Sequence, residues 1–208
     1  MEDSYAITKK NYEEANDWHA EKSLGYDWVP QLDAFLKLLK PGTKVLDVGC
    51  GNGRDIPTFL QRGIEVEGLD YAKPAIETLR ERFPERKFYE ADMSATGLPD
   101  GAYGGVWACA SVLNIPKAQV PKALAEFRRL LISGGALFIS VKEGEGERMV
   151  PDKAGERFFD FFSEEEIRKA VESAGFVIDH TEIMEDTFNK APERKTLPRW
   201  ISIYAKKS

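Results

Sequence analysis

The sequence predicts an α/β fold, a doubly wound and mostly parallel sheet of seven strands with an antiparallel hairpin at one edge. Between residues 44 and 141, five short apolar stretches alternate with segments of helical periodicity, which is typical of parallel βαβ units. A run of glycines follows the first stretch, where such folds turn from strand into helix. Two strand-like stretches near the end have no helix between them, so they should pair antiparallel at one edge.

Helix signals separate the five parallel strands. Apolar residues recur at helical spacing after Pro30, and Pro41 with Gly42 ends that helix. The helix after the glycine run stops at Gly63, and the next has Pro74 in its first turn, where proline is tolerated. A further helix is predicted over 117–131. The predicted strands are 44–48, 64–70, 87–90, 105–110 and 136–141.

The last helix and the edge hairpin follow. Ser163 precedes three glutamates, which is the pattern of an N-cap with acids in the first helical turn. This helix runs to Gly175. Two strands are predicted after it, over 176–183 and 200–205.

Composition limits the class of partner. The 208 residues, 42% hydrophobic and 31% charged, fit one globular domain with appendages. A net charge of -6 makes nucleic acid an improbable main partner and favours a small molecule. The stretch 190–208 has a net charge of +5, and its basic residues either bind an anion or keep an edge strand from aggregating.

Cellular context follows from cysteines and hydropathy. Cys50 and Cys109 are not at ligand spacing, so neither a disulfide framework nor a metal site is predicted. No apolar stretch has the roughly 18 residues of a membrane span, and the acidic start does not resemble a secretory signal. We therefore expect a cytoplasmic protein that does not bind membranes.

The glycine run indicates a ligand site. Gly49, Gly51 and Gly53 lie between a strand and a helix, where a ligand can approach the backbone without interference from Cβ atoms. Their spacing is not that of the dinucleotide fingerprint, and no Walker lysine follows, so pyrophosphate binding is disfavoured. Asp70 ends the second strand, where a carboxylate can accept hydrogen bonds from both ribose hydroxyls of a nucleoside.

Two more carboxylates line the same edge of the predicted sheet. Asp47 ends the first strand and Asp92 follows the third. Such an edge suits a cationic nucleoside and would repel a diphosphate.

The residues in 45–55, 68–70, 91–93 and 130–135 resemble the class I S-adenosylmethionine-dependent methyltransferases. The resemblance extends from about Phe35 to Ala205, including the edge hairpin. It implies that S-adenosylmethionine is the cofactor, with S-adenosylhomocysteine as its product, and that a methyl group is transferred to an acceptor.

By position, the resemblance also assigns roles to individual residues. The loop glycines would lie against the methionine part of the cofactor, with Asp47 near its amino group. Asp70 would hold the ribose, Asp92 the adenine amino group, and Tyr71 and Met93 the adenine faces. The remaining residues that the resemblance assigns to the cofactor are Cys50 and Ala110.

The tracts 106–116, 141–146 and 157–159 are similar to one subgroup of small bacterial-type methyltransferases, for which no acceptor is implied. Two positions depart from the family pattern. Gly104 stands where relatives usually have Asp, which weakens a structural hydrogen bond. Asn114 stands where they often have His, which argues against a base at that position.

Residues 1–28 form a segment ahead of the domain predicted over 29–208, and in similar methyltransferases such a segment is a helical lid. Tyr12, Trp18 and Trp28 either wall an acceptor pocket near the sulfonium or attach the segment to the domain.

Lys142, Arg157 and Arg199 lie in predicted loops or element ends near this edge. They indicate an acceptor with an anionic group, although solvated side chains explain them equally simply.

Methyl transfer from a sulfonium is an in-line displacement, so alignment and exclusion of water matter more than any single group. No catalytic residue is therefore predicted, although His19 and His180 are present for an acceptor that must lose a proton. The expected acceptor is a small molecule. The alternatives are a cofactor-binding protein without turnover and a nucleic-acid methyltransferase, and the oligomeric state is not predicted.

Overall fold

The computed structural model describes residues 4–187 and 197–208. The strands of this part of the chain are β1 (Val45–Val48), β2 (Val66–Asp70), β3 (Phe88–Glu90), β4 (Tyr103–Cys109), β5 (Leu131–Lys142), β6 (Glu147–Asp152), β7 (Gly155–Asp160), β8 (Phe176–Glu185) and β9 (Arg199–Lys207). The α-helices are α1 (Ser4–Glu14), α2 (Asn16–Ser23), α3 (Val29–Leu36), α4 (Ile56–Gln61), α5 (Lys73–Arg82), α6 (Val120–Leu130) and α7 (Glu164–Ser173).

Seven strands form one sheet in the order β3-β2-β1-β4-β5-β9-β8. The first five are parallel, whereas β9 runs antiparallel to β5 and pairs antiparallel with β8 at the edge. This confirms the predicted doubly wound sheet and its edge hairpin. The alternation of strand and helix signals in the sequence was enough for this prediction, because each parallel pair of strands needs a helical crossover and an antiparallel pair does not.

The centre of the sheet holds the core. Every residue of β1, β2 and β4 is buried, since helices cover both faces of a parallel sheet. Trp107 of β4 stacks on Phe138 of β5 with ring centroids 3.9 Å apart. The helix α6 packs one apolar face against this layer; its buried residues are Val120, Ala123, Leu124, Phe127 and Leu130.

The predicted cap of the last helix is present. The Ser163 hydroxyl accepts a hydrogen bond from the Glu166 amide, and the Glu166 carboxylate accepts one from the Ser163 amide over 2.8 Å. This reciprocal pair satisfies two amides that the first helical turn leaves free.

A second hairpin, which the sequence analysis did not predict, follows β5. Its strands β6 and β7 form a separate two-stranded sheet, and β6 lies partly or fully exposed along its length. The helix α1 packs against β7, where the Thr8 hydroxyl accepts a hydrogen bond from the Phe158 amide over 2.8 Å. The hairpin is thus held by contacts with distant parts of the chain.

The packing of Thr43 explains why position 104 is a glycine. A Cβ atom at this position would lie 2.1 Å from Cβ and Oγ1 of Thr43, so an aspartate would need Thr43 to move. The Thr43 hydroxyl instead donates to the Lys40 carbonyl over 2.6 Å. The departure from the family pattern is therefore accommodated locally.

The basic stretch 190–208 lies partly outside the described residues. In its described part, Lys207 donates to the Leu131 carbonyl over 2.6 Å, and Arg199 pairs with Glu143. Both cationic side chains therefore have partners within the protein.

Candidate active site

A cavity of about 190 Å³ opens at the carboxyl ends of β1, β2 and β4. The residues predicted for cofactor or acceptor that line it are Asp47, Gly49, Cys50, Gly51, Asp70, Ala110, Tyr12, Asn114, Lys142 and Arg157. The predicted residues that do not line it are Gly53, Tyr71, Asp92, Met93 and Trp18. Ten of the fifteen predicted residues therefore line one cavity.

The glycine loop has a distinct reason for glycine at each position. Gly49, Gly51 and Gly53 all have positive φ, between 50° and 76°. A Cβ atom on Gly49 would lie 2.3 Å from Cβ of Ser111, and one on Gly53 would lie 2.4 Å from Cδ2 of Leu79. A Cβ on Gly51 would meet nothing within 4 Å, so this residue faces open space. The backbone at Gly51 is therefore the part of the loop open to a ligand.

Asp70 is fixed by backbone amides at the end of β2. Its carboxylate accepts hydrogen bonds from the amides of Gly51 over 2.9 Å and Ala72 over 2.8 Å. Burial raises the pKa of Asp70, and these amides oppose the shift. Each carboxylate oxygen has a further lone pair, so Asp70 can still accept hydrogen bonds from a diol.

Asp47 is a buried carboxylate without a partner. It is 3% exposed, and no described residue forms a hydrogen bond or ion pair with it. Burial raises its pKa well above the usual value, the Asp55 carboxylate adds to the shift and the Arg54 guanidinium opposes it. A cationic group in the cavity would relieve this unpaired buried charge.

A buried ion pair that the sequence analysis missed lies beneath Asp47. Arg54 donates to both carboxylate oxygens of Asp55, over 2.7 and 2.6 Å, and to Sγ of Cys109 over 3.1 Å. Nε1 of Trp107 donates to Asp55 over 2.8 Å. Adjacent Arg and Asp in a sequence usually indicate solvated side chains, so the only available signal was their position directly after the glycine loop.

Ala110 and the two cysteines complete the floor. Ala110 has a φ of 57°, and its amide donates to the Ser140 hydroxyl over 2.8 Å, which holds this strained residue in place. Burial raises the pKa of both Cys50 and Cys109, so neither is an activated nucleophile.

Asp92 contacts the N-terminal helix. The Tyr5 hydroxyl donates to its carboxylate over 2.7 Å, and the Ser94 amide donates over 2.7 Å. Burial alone would raise the pKa of Asp92, but these hydrogen bonds hold it below its usual value. The Tyr5 ring lies 5.3 Å from Tyr71, so Asp92 and Tyr71, two of the three residues predicted for adenine, are next to α1. Met93 is buried in the core cluster.

A polar network joins α1 to the second hairpin. Arg157 of β7 donates to the Tyr12 hydroxyl over 2.6 Å, and that hydroxyl donates to Asn114 Oδ1 over 3.0 Å. Asn114 Nδ2 donates to the Phe158 carbonyl over 2.8 Å. Arg157 also pairs with Asp152. Asn114 thus positions the wall of the cavity, and its amide supplies no base.

Aromatic rings form one wall of the cavity. Trp28 and Trp200 lie edge to face at 5.3 Å, and both are buried. The Lys142 ammonium lies 5.0 Å from the ring centroid of Phe159 and 5.3 Å from that of Trp200. Trp28 also packs on Phe138 of the core. It therefore lines the cavity and also attaches the N-terminal segment to the domain, the two alternatives given from the sequence.

The histidines are in different places. His19 of α2 lines the cavity, where its Nε2 lies 2.8 Å from Oδ1 of Asn11 and its ring 4.5 Å from that of Tyr12. His180 is half exposed on the edge strand β8 and stacks on Tyr204 at 4.0 Å. His19 is therefore the imidazole near the candidate site.

Residues 46–139 match the family model described as a methyltransferase domain. This range contains the glycine loop, Asp70 and Asp92. This part of the chain is therefore similar to a methyltransferase domain. S-adenosylmethionine, the cofactor that the sequence resemblance implies, would fit the cavity through the unpaired Asp47 and the open backbone at Gly51.

Relatives with a curated description are methyltransferases of varied acceptors. The chain is 35% identical over 111 residues to demethylmenaquinone methyltransferase of Thermus thermophilus, covering 50% of this chain and 49% of the relative. It is 33% identical over 101 residues to malonyl-[acyl-carrier protein] O-methyltransferase of Serratia marcescens, covering 48% and 38%. The chain thus spans about half or less of the length of these relatives.

Solved structures share the fold. The 1,6-didemethyltoxoflavin-N1-methyltransferase of Burkholderia thailandensis, solved with 1,6-didemethyltoxoflavin and S-adenosylhomocysteine, superposes with a TM-score of 0.75 at 23% identity and covers 98% of this chain and 87% of that one. A methyltransferase of Methanosarcina mazei gives a TM-score of 0.73 at 18% identity, covering 84% and 96%.

None of the helices in 4–187 is long and apolar enough to cross a membrane, and the same holds for 197–208. Nor do the described residues contain a group of three His, Cys, Asp or Glu residues placed to hold a metal ion.

Proposed function

We propose that this methyltransferase transfers the methyl group of S-adenosylmethionine to a small molecule bound between the glycine loop and the aromatic wall. The observation that carries the proposal is Asp47, a buried carboxylate without a partner in a cavity that continues from Gly51 to Trp200. The cofactor, when bound, supplies an electrophilic methyl group on a positively charged sulfur. Asp47 and Asp70 would hold it, at its amino group and ribose respectively.

The chain's own residues contribute alignment and exclusion of water. The Asp70 carboxylate is held by two amides before any ligand arrives, so little ordering remains to be done. Aromatic side chains form the opposite wall, and their rings exclude water from the reacting centre.

We extend the proposal to residues 1–28 as a lid. Asn52 of the glycine loop donates to the carbonyl and the side-chain oxygen of Asn16, over 3.2 and 3.0 Å. The Tyr5 hydroxyl donates a hydrogen bond to the Asp92 carboxylate, and the Thr8 hydroxyl accepts one from the Phe158 amide of β7. The N-terminal helices are thus tied both to the cofactor loop and to the acceptor wall. Deleting residues 1–24, which spares the core residue Trp28, should abolish turnover and weaken cofactor binding.

For the acceptor we propose a small molecule with an anionic group. Support comes from Lys142 and Lys22, which both line the cavity. Arg199 lends none, because it pairs with Glu143 and does not line the cavity. Activity confined to neutral acceptors would contradict this part of the proposal.

Thermal stabilisation tests the cofactor first. A ligand at 100 times its dissociation constant adds about 2.7 kcal/mol of unfolding free energy, so S-adenosylmethionine and S-adenosylhomocysteine should raise Tm while NAD should not. Transfer of a labelled methyl group to a panel of acidic and neutral small molecules then tests turnover. Stabilisation without transfer favours the binding-protein alternative, and salt-dependent RNA binding would favour a nucleic-acid acceptor.

A further inference from the structure

We propose that His19 is a catalytic residue of this site, and that its Nδ1 accepts the proton of an acceptor that presents an O–H or aromatic N–H group to the cavity. The inference deepens the proposed methyl transfer and depends on it. It narrows the acceptor to a protic nucleophile and supplies the proton acceptor that Asn114 cannot provide.

Geometry selects the ring nitrogen. The proposal assigns the ring proton to Nε2 of His19, which lies 2.8 Å from Oδ1 of Asn11, an atom that can only accept a hydrogen bond. In the neutral imidazole the lone pair is then on Nδ1. No described residue is hydrogen bonded to Nδ1, although His19 lines the cavity. Asn11 is 1% exposed, and its Nδ2 has no hydrogen-bond partner among the described residues.

The surroundings keep the imidazole neutral before the reaction. Four charged or titratable groups face His19: Tyr12 of α1, Lys22 of α2, Asp152 of β6 and Arg157 of β7. Burial and the Arg157 charge lower the pKa of His19 to about 4, with Lys22 adding to this and Asp152 opposing it. The ring therefore has a free lone pair at neutral pH.

Because the His19 imidazole is a weak base, it suits only some classes of methyl acceptor. As an oxygen or aromatic nitrogen gains a methyl group, it becomes positive and its proton becomes strongly acidic, so even a weak base can take it. An aliphatic amine stays basic after methylation and needs no such help. In the transfer, a lone pair of the acceptor atom forms the new bond to carbon, the carbon–sulfur pair stays on sulfur, and the acceptor proton moves to Nδ1. The imidazolium next to Arg157 then returns the proton to solvent.

NMR spectroscopy tests the tautomer without any acceptor, because the chain contains only two histidines. Long-range proton–nitrogen spectra of the ¹⁵N-labelled protein, assigned with His180→Gln, should show His19 neutral with its proton on Nε2 at pH 7. A proton on Nδ1, or a cationic ring at pH 7, would overturn the proposal. Asn11→Ala should release the tautomer and give signals of both forms.

Turnover tests the role. Catechol and 8-hydroxyquinoline serve as probes, with His19→Ala expected to lower the rate about 100-fold or more and free imidazole in the buffer to restore part of it. S-adenosylhomocysteine affinity should stay within about twofold, and His180→Gln should match the wild type. A His19→Ala protein with wild-type rates on either probe sinks the proposal. If neither probe is methylated, the NMR spectrum decides, and failure of the proposed function shows separately as loss of cofactor binding by the wild type.

Discussion

The hydroxyl of Tyr5 donates a hydrogen bond to the Asp92 carboxylate over 2.7 Å, although 87 positions separate the two residues. Tyr5 lies in α1 and Asp92 follows β3, the strand at one edge of the sheet. The bond joins the N-terminal segment to a residue predicted to contact the cofactor. A ligand that contacts Asp92 would therefore be coupled to the docking of α1.

Tyr5→Phe removes this bond and should loosen α1. A hydrogen bond to a charged group contributes about 1.5–3 kcal/mol, so trypsin cleavage at Lys9 and Lys10 should accelerate about tenfold or more. S-adenosylhomocysteine affinity should fall severalfold. Tyr89→Phe is the matched control, because its hydroxyl also donates to a carboxylate, that of Glu67, over 3.0 Å. Equal cleavage rates for Tyr5→Phe and the wild type would contradict the coupling.

Asp47→Asn should separate stability from binding. Asp47 is buried with a raised pKa, so the folded state holds its proton more tightly than the unfolded chain and the carboxylate destabilises the fold at neutral pH. The neutral amide should raise Tm of the free protein, at about 2–4 °C per kcal/mol. It should also weaken S-adenosylhomocysteine binding at least about tenfold, since the ligand's amino group loses its buried partner.

Differential scanning calorimetry and isothermal titration measure the two effects of Asp47→Asn. Asp33→Asn is the control, because Asp33 forms an exposed pair with Arg62 far from the cavity. A lower Tm with unchanged affinity for Asp47→Asn would show that the carboxylate is structural.

Gly51→Ala and Gly53→Ala form a pair with opposite expectations. The Cβ atom at Gly53 would lie 2.4 Å from Leu79, so this variant should unfold at markedly lower temperature. Gly51 has open space around its Cβ direction and a φ of 50°, which an L-residue can adopt at a modest cost. Gly51→Ala should fold and lose affinity for S-adenosylhomocysteine, as its methyl group occupies cavity space. Thermal melts with and without the ligand distinguish the two, and a Gly51→Ala protein with full affinity would contradict the assignment.

Asp160 makes a pH-dependent prediction. Its carboxylate is fully buried and unbonded, with the Lys117 ammonium 3.5 Å away, and burial raises its pKa to about 7. Between about pH 4 and 7 the folded state holds a proton that the unfolded chain releases, so this residue's contribution to stability is lost as pH rises through that window. Asp160→Asn should therefore be more stable than the wild type at pH 8, and the difference should shrink toward pH 4. Urea unfolding at both pH values measures it, with the exposed Glu165→Gln as control.

Some elements of the fold could be predicted from the sequence, and one could not. The parallel sheet with helical crossovers, the glycine loop and the edge hairpin followed from local patterns, because the alternation of strand and helix and the positions of glycine are visible in neighbouring residues. The hairpin of β6 and β7 was missed. Its β6 is largely exposed and contains Pro151, so it carries no apolar alternation, and Thr8 and Asn114 hold the hairpin from a distance.

The site divides in the same way. Asp47, Gly51 and Asp70 were predicted from the sequence as cofactor-binding residues, and all three line one cavity. Each lies at or close to the end of β1 or β2. The pairing of Arg54 with Asp55, the hydrogen bond from Tyr5 to Asp92 and the contact of His19 with Asn11 were decided only by tertiary structure. Each depends on groups that are far apart in the chain or look solvated in the sequence, and packing alone brings such groups together and removes water from them.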